Sequence, residues 1–213
     1  YLGRNPNKEG GDFLSIIDQI KPNIKFNIES YSSKKVAKLI SEGKIIARCS
    51  GREEFGARAL GNRSVLADPR KISIKKVINE NVKNRDFWMP FACSVLEEHS
   101  SDYFNLDSIT SSYSYMTLCA ETTDIGRNVL QAAIHPYDET CRPQIISEKT
   151  NKEYYKLIKE FGDITGVYAL LNTSLNHHGY PIVSTYEDAL DVFFNSDLYA
   201  IILENKIIIK NHN

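Results

Sequence analysis

The chain lacks any long hydrophobic run. Its longest unbroken apolar stretch covers residues 198–203, against the ~20 residues that a membrane-spanning helix requires, so a transmembrane span is excluded. Cysteine is scarce: Cys49, Cys93, Cys119 and Cys141 stand far apart with no CxxC pair. That spacing argues against a zinc knuckle or a secreted disulfide framework and reads as buried free thiols in a reducing cytoplasm. Eleven glycines, seven prolines and a net charge of −1 leave no room for a collagenous or disordered chain. A GxxxxGK[ST] phosphate loop, internal repeats and low-complexity tracts are also missing. The start, Tyr1-Leu2-Gly3-Arg4, shows neither an initiator Met nor a signal-peptide pattern, and reads as an excised piece of something longer.

What is present is 213 residues, 42% hydrophobic and 25% charged, enough for one large α/β domain with its own core. Apolar spacing predicts a helix around Phe13, Ile16, Ile17 and Ile20, then a half-buried strand over 24–28. A helix over 33–42 ends at Gly43, a strand covers 44–49, a loop 51–63 and a strand 64–67. A helix over 74–82 and strands over 91–96, 113–120 and 129–134 follow. Thr150 with Glu153 reads as a capping box opening a helix that ends at Gly162, and Ser184 with Glu187 as a second, opening a helix through Phe194. A strand over 167–171 lies between them, and 198–203 with 206–209 form a terminal hairpin over Glu204-Asn205. Hairpins and strand-helix-strand units together predict one α/β domain around a mixed sheet.

Charge is placed unevenly. Between Lys44 and Asp86 the chain carries eleven Lys/Arg against five Asp/Glu, an asymmetry that suits an anionic ligand, a phosphate-bearing molecule or a nucleic-acid backbone. Its centre is Gly51-Arg52-Glu53-Glu54-Phe55-Gly56-Ala57-Arg58-Ala59-Leu60-Gly61-Asn62-Arg63-Ser64-Val65-Leu66-Ala67-Asp68-Pro69-Arg70. Arginine forks grip planar oxyanions and glycine lets backbone approach a phosphate, so the segment reads as a phosphate cradle after a strand. The alternative is that Glu53, Glu54 and Asp68 simply pair these arginines at the surface.

This segment resembles the signature of the C-terminal, YrdC-like domain of the O-carbamoyltransferase family, which carbamoylates antibiotics and nodulation factors. The resemblance extends to Asn79-x-x-Val82-Lys83-x-Arg85, Pro90-Phe91-Ala92, His135-x-x-Asp138-x-Thr140-x-Arg142-Pro143-Gln144, Leu171-Asn172-Thr173-Ser174-Leu175-Asn176 and Gly179-x-Pro181-Ile182-Val183. It implies a YrdC-like domain over 31–213, with 1–30 as a linker and helix joining an N-terminal metal-binding domain. It also implies a function: carbamoyl phosphate and ATP, with Mg²⁺ on the nucleotide, are converted to carbamoyl-adenylate, which the N-terminal domain uses to carbamoylate an acceptor hydroxyl. The iron site would then lie in that other domain, with no transition metal here.

By the same resemblance Lys83, Arg142 and Ser174 hold carbamoyl phosphate. Arg52, Arg58 and Arg63 serve nucleotide phosphates, Asn172 orients the site, and His135 supplies a phosphate hydrogen bond. Where the family has an arginine before Pro-Phe-Ala this chain has Met89, so either Arg85 stands in for it or the substrate is held with one charge fewer. Plainer readings stand beside these: Lys83 as a helix C-terminal charge, Arg142 as an ion-pair partner of Glu139, Ser174 and Asn172 as turn residues, His177-His178 as a solvated loop tip. Two rival functions are a threonylcarbamoyl-adenylate synthase and an RNA-binding module. The near-neutral charge, and the absence of stacking aromatics among the arginines, argue against nucleic acid.

Overall fold

The computed structural model describes residues 1–6, 12–20, 22–83, 86, 89–106 and 110–211. In chain order the helices and strands are α1 (Phe13–Ile20), β1 (Phe26–Ser30), α2 (Ser33–Ser41), β2 (Ile46–Cys49), β3 (Arg63–Ala67), α3 (Ser73–Val77), β4 (Ala92–Leu96), α4 (Ser100–Tyr103) and β5 (Phe104–Asn105). They continue with β6 (Ala120–Thr122), α5 (Asp124–Val129), β7 (Thr140–Cys141), β8 (Gln144–Ile146), α6 (Lys152–Thr165), β9 (Ala169–Ser174), α7 (Tyr186–Phe194), β10 (Ala200–Leu203) and β11 (Lys206–Lys210).

Eight strands form one sheet in the order β1-β11-β10-β2-β3-β9-β4-β8. The β10–β2 and β4–β8 pairs are parallel and the rest antiparallel, so the sheet is mixed as the pattern predicts. Alternate side chains go to opposite faces. Ile46, Leu66, Leu170 and Ile202 pack with Val36 and Ile40 of α2 and with Leu157 and Phe161 of α6. Ala47, Val65, Leu171, Ile201 and Ile208 pack on the other side with α1, α3 and α7, through Ile17, Ile74 and Ala189. Residues 12–30 thus add a helix to this second face and an edge strand paired with β11. A small sheet, β5-β6-β7, covers one end over its own cluster around Tyr103, Phe104 and Leu130. Cys49, Cys93 and Cys141 are buried free thiols and Cys119 is exposed.

Several local predictions need correction. The stretch 113–120 is not a strand: a 3₁₀ segment covers Thr110–Tyr115, and pairing begins only at Ala120. The stretch 129–134 is not one either, because the Thr123 hydroxyl accepts the Gly126 N–H and starts α5 just before it. Both helix caps fall one residue later than predicted. Asn151 caps α6 while the Thr150 hydroxyl closes a turn onto Ser147 O, and the reciprocal box on α7 is Thr185 with Asp188. Helix α6 also runs past Gly162 to a left-handed Gly166. Gly162 is there for clearance, since a Cβ would sit 2.1 Å from the Tyr168 ring. Beyond α3 the chain continues as a π-helical turn, Ile78–Lys83, which carries Lys83 inward.

Candidate functional site

The arginine–glycine segment links β2 to β3 and is organised by Glu54. Its Oε1 accepts the N–H groups of Leu60 (2.7 Å), Asn62 (2.7 Å) and Arg63 (3.2 Å), turning three donors of an irregular loop toward one carboxylate. Beneath the loop, Arg48 Nη1 donates to Gly61 O and Asn62 Oδ1, both at 2.7 Å, and its guanidinium lies over the Tyr154 ring. Gly61 has φ +109, and a Cβ there would meet the Tyr154 ring at 2.3 Å; only glycine fits. Gln144 Nε2 donates to Leu60 O and Asn151 Nδ2 to Asn62 Oδ1.

Two strand ends and a helical turn then bring chemistry together at one end of the central strands. Arg63 is the first residue of β3, Ser174 the last of β9, and the two strands pair antiparallel with Ser64 opposite Ser174. Lys83 comes in from the π-helical turn: its Nζ donates to Ser174 O, to Ser174 Oγ at 3.0 Å and to Asn176 Oδ1 at 2.5 Å. Ser174 Oγ in turn donates to Asn176 Oδ1 at 2.7 Å. A cavity of ≈ 720 Å³ opens here, with Arg4, Glu54, Arg63, Ser174, Asn176 and Asp188 in its wall. A second, of ≈ 710 Å³, lies against Lys83 and shares Asn176 and Asp188 with the first.

Arg63 is the most unusual member. Its side chain is 0% exposed. Nη1 donates to Asn62 O at 3.0 Å and more weakly to Ser50 O at 3.4 Å, whereas Nε and Nη2 are buried without a partner. A buried guanidinium with two idle donors costs stability and is suited to an oxyanion. Arg142 repeats the theme in the link between β7 and β8, outside the walls of both cavities: its Nε is buried and unpartnered, and burial, with the charge of Arg58 adding to it, depresses its pKa. Glu139 pairs with Arg127 instead (3.4 Å). Glu53 and Glu54 form no ion pair with Arg52, Arg58 or Arg63; of the three acids only Asp68 pairs an arginine, forking Arg70 at 2.9 and 2.7 Å, and it does so as a buried carboxylate, not at the surface.

The remaining predicted residues divide. Arg58 is exposed beside Gly56 and Ala57 of the cavity wall. Asn172 is buried in β9, where Nδ2 donates to Ser94 Oγ at 2.9 Å and reaches Ala59 O, tying sheet to loop, while Oδ1 has no partner. Arg52 does not face the cavity: Nε and Nη2 donate to Gly3 O and Leu2 O. His135 bonds Asp138 Oδ1 at 3.1 Å within a local turn that Asp138 also closes onto Thr140. Arg85 lies outside the described residues, and Met89 is half-buried. Sequence reasoning missed Glu54 as loop organiser and Arg48 as its support. It also missed Asn176, although the spacing Ser174-x-Asn176 is itself a turn signal. Among the described residues no group of three His, Cys, Asp or Glu side chains converges as a metal site, and no helix is long and apolar enough to cross a membrane.

This architecture is that of the YrdC/Sua5-like domains. The chain superposes on P. abyssi Sua5 complexed with L-threonine (TM-score 0.57, 14% identity, 81% of this chain and 46% of that one). It likewise superposes on E. coli YciO (0.55, 13%, 81% and 77%) and on full-length HypF in its phosphate- and nucleotide-bound form (0.53, 14%, 89% and 23%). Residues 37–210 match the carbamoyltransferase C-terminus family, to which the chain belongs. It is 40% identical over 176 residues to nodulation protein NolNO of Sinorhizobium fredii (83% of this chain, 26% of that protein). The corresponding values are 42% over 164 residues for nodulation protein NolO of Bradyrhizobium diazoefficiens (77% and 30%). An uncharacterized protein of Methanocaldococcus jannaschii is 41% identical over 172 residues (81% and 28%). The chain thus spans less than a third of the length of these three relatives.

Proposed function

We propose that this domain activates a carbamoyl group, binding carbamoyl phosphate and ATP and promoting formation of carbamoyl-adenylate. The observation that carries the reading is Arg63: a buried fork with two unpartnered donors in the wall of a cavity that also holds Ser174 and Asn176, with Lys83 behind them. Water releases carbamate and inorganic phosphate from carbamoyl phosphate. A carbamate oxygen then attacks the α-phosphorus of ATP, forming the new P–O bond as pyrophosphate leaves. Neither step needs a nucleophilic side chain, so the protein's share is to position the reactants and neutralise charge on phosphoryl oxygens. Arg63 supplies the fork, Lys83 a point charge, and Ser174 an adjustable hydroxyl.

Mg²⁺ would arrive on the triphosphate, and Glu54 Oε2, buried without a partner at the same cavity, is a hard oxygen donor that suits it. Transfer to an acceptor hydroxyl would fall to an N-terminal metal-binding domain in the full-length protein.

Calorimetric titration with carbamoyl phosphate tests the reading, with and without a non-hydrolysable ATP analogue and Mg²⁺, and with inorganic phosphate as control. We expect saturable binding stronger than that of phosphate, abolished in Arg63→Met with the fold intact. Binding no better than phosphate overturns the reading. A response to L-threonine with bicarbonate in its place selects the threonylcarbamoyl alternative.

A further inference from the structure

The N-terminal segment lies outside the family match of 37–210, yet it is built into the anion cavity. Gly3 N donates to Glu53 O at 3.1 Å, Glu53 N to Arg4 O at 2.9 Å, and Arg4 N to Glu53 Oε1 at 2.9 Å. Arg52 adds two side-chain bonds, to Leu2 O at 2.7 Å and Gly3 O at 3.1 Å, and Tyr1 anchors the far end through its hydroxyl to Leu60 O at 2.7 Å. Contact is so close that a Cβ on Gly3 would sit 2.0 Å from Glu53 Cγ. Six hydrogen bonds hold residues 1–4 on the arginine–glycine loop, and the result is to bring Arg4 into the cavity wall.

Charge shows what Arg4 does there. The same wall carries Glu53, Glu54 and Asp188, and without Arg4 these three carboxylates would face Arg63 alone, a lining that repels phosphate. One oxygen of each is already engaged as an acceptor: Glu53 Oε1 by Arg4 N, Glu54 Oε1 by the loop, and Asp188 Oδ2 by Ser184 N and Thr185 N. Burial pushes the Asp188 carboxyl up, but the bonds from Thr185 and Ser184 and the charge of Arg4 outweigh it and hold it below its ordinary value. Arg4 therefore lies close enough to Asp188 in the same wall for its charge to act on that carboxyl.

We infer that Arg4 is a phosphate-binding residue of this cavity, delivered by the segment 1–4, and that Arg52 is the positioning residue that clamps the segment in place. The inference rests on reading the cavity as a phosphate site. It assigns Arg52 a role other than ligand contact.

Its test is calorimetric titration of the chain with carbamoyl phosphate and separately with pyrophosphate, in Arg4→Ala, Arg4→Lys, Arg52→Ala and Gly3→Val. Loss of one charge-assisted contact predicts about tenfold weaker binding of both anions in Arg4→Ala, partial recovery in Arg4→Lys, and a matching loss in Arg52→Ala and Gly3→Val. Arg4→Ala/Arg52→Ala should bind no more weakly than Arg4→Ala alone, because both changes remove the same contact. Melting temperatures distinguish this from unfolding. Carbamoyl phosphate binding that is unchanged in Arg4→Ala overturns the inference and keeps the proposed function. Pyrophosphate binding that depends on Arg4, with no carbamoyl phosphate binding, does the reverse, and no binding of either anion removes both.

Discussion

Lys83 Nζ lies 3.0 Å from Ser174 Oγ although the two residues are 91 positions apart, and Asn176 Oδ1 completes the triangle at 2.5 Å from Nζ. The ammonium is buried with its donors on two side chains and a carbonyl. It is therefore both a strut between the π-helical turn and the end of β9 and a positive charge behind Ser174 and Asn176 of the cavity wall.

Lys83→Met should fail in both roles. Removing a charged donor while Ser174 O and Asn176 Oδ1 stay half-buried costs about 1–3 kcal/mol of stability, and phosphate-ligand affinity should fall at least tenfold. Urea denaturation and calorimetry read the two effects separately.

Arg63→Met should split them. The substitution keeps the volume and removes a buried cation with two idle donors, so stability should hold or rise by about 1 kcal/mol. Carbamoyl phosphate binding should be lost. A protein that melts at the same temperature or higher yet binds nothing is the expected outcome; a large loss of stability would mean that Arg63 is a structural residue.

Gly61→Ala tests the loop's seat. Positive φ and the Tyr154 ring 2.3 Å from the added methyl predict a loss of about 2–4 kcal/mol, read as a lower denaturation midpoint. Affinity should fall with it, since Arg48 holds the Gly61 carbonyl under the loop.

Lys210 gives a pH signature remote from the site. Its Nζ donates to Phe193 O at 2.6 Å and to Ser196 O at the end of α7, and burial lowers its pKa to about 8 from the ordinary value of 10.5. Between those values the unfolded chain binds the extra proton, so this group's contribution to stability rises with pH there and is smallest below about 8. The difference in unfolding free energy between wild type and Lys210→Met, measured from pH 7 to 10, should grow in favour of wild type as pH rises.

The architecture was legible wherever burial and periodicity coincide: α2, α6, α7 and the β10–β11 hairpin lie within a few residues of their predicted positions. Local signals misled where two neighbours could do the same job. Thr150 and Asn151 both cap well, and tertiary contact chose Asn151, whose Nδ2 also reaches Asn62. The stretch 113–120 alternates like a strand, but Tyr113 and Met116 are buried from a 3₁₀ turn, with Met116 at φ +55. At the site, residue types in the motifs pointed to Arg63, Lys83 and Ser174, yet no pattern announces that Arg52 turns away to hold residues 2 and 3, because that depends on a contact distant in sequence. Glu54 was hidden for a related reason: its partners are backbone N–H groups, which leave no trace in side-chain spacing.

The pairing of β3 with β9 also has a consequence for how the chain acquires its site. Arg63 is made early and Ser174 late, and their strands meet only after most of the domain has been synthesised. Such long-range pairing is slow to form. The cavity therefore cannot form until β9 has been made, and a ligand cannot guide the steps before that. A nascent chain short of β9 holds the arginines of the loop with nothing opposite them, so protection by phosphate ligands against proteolysis should appear abruptly, only once β9 has docked.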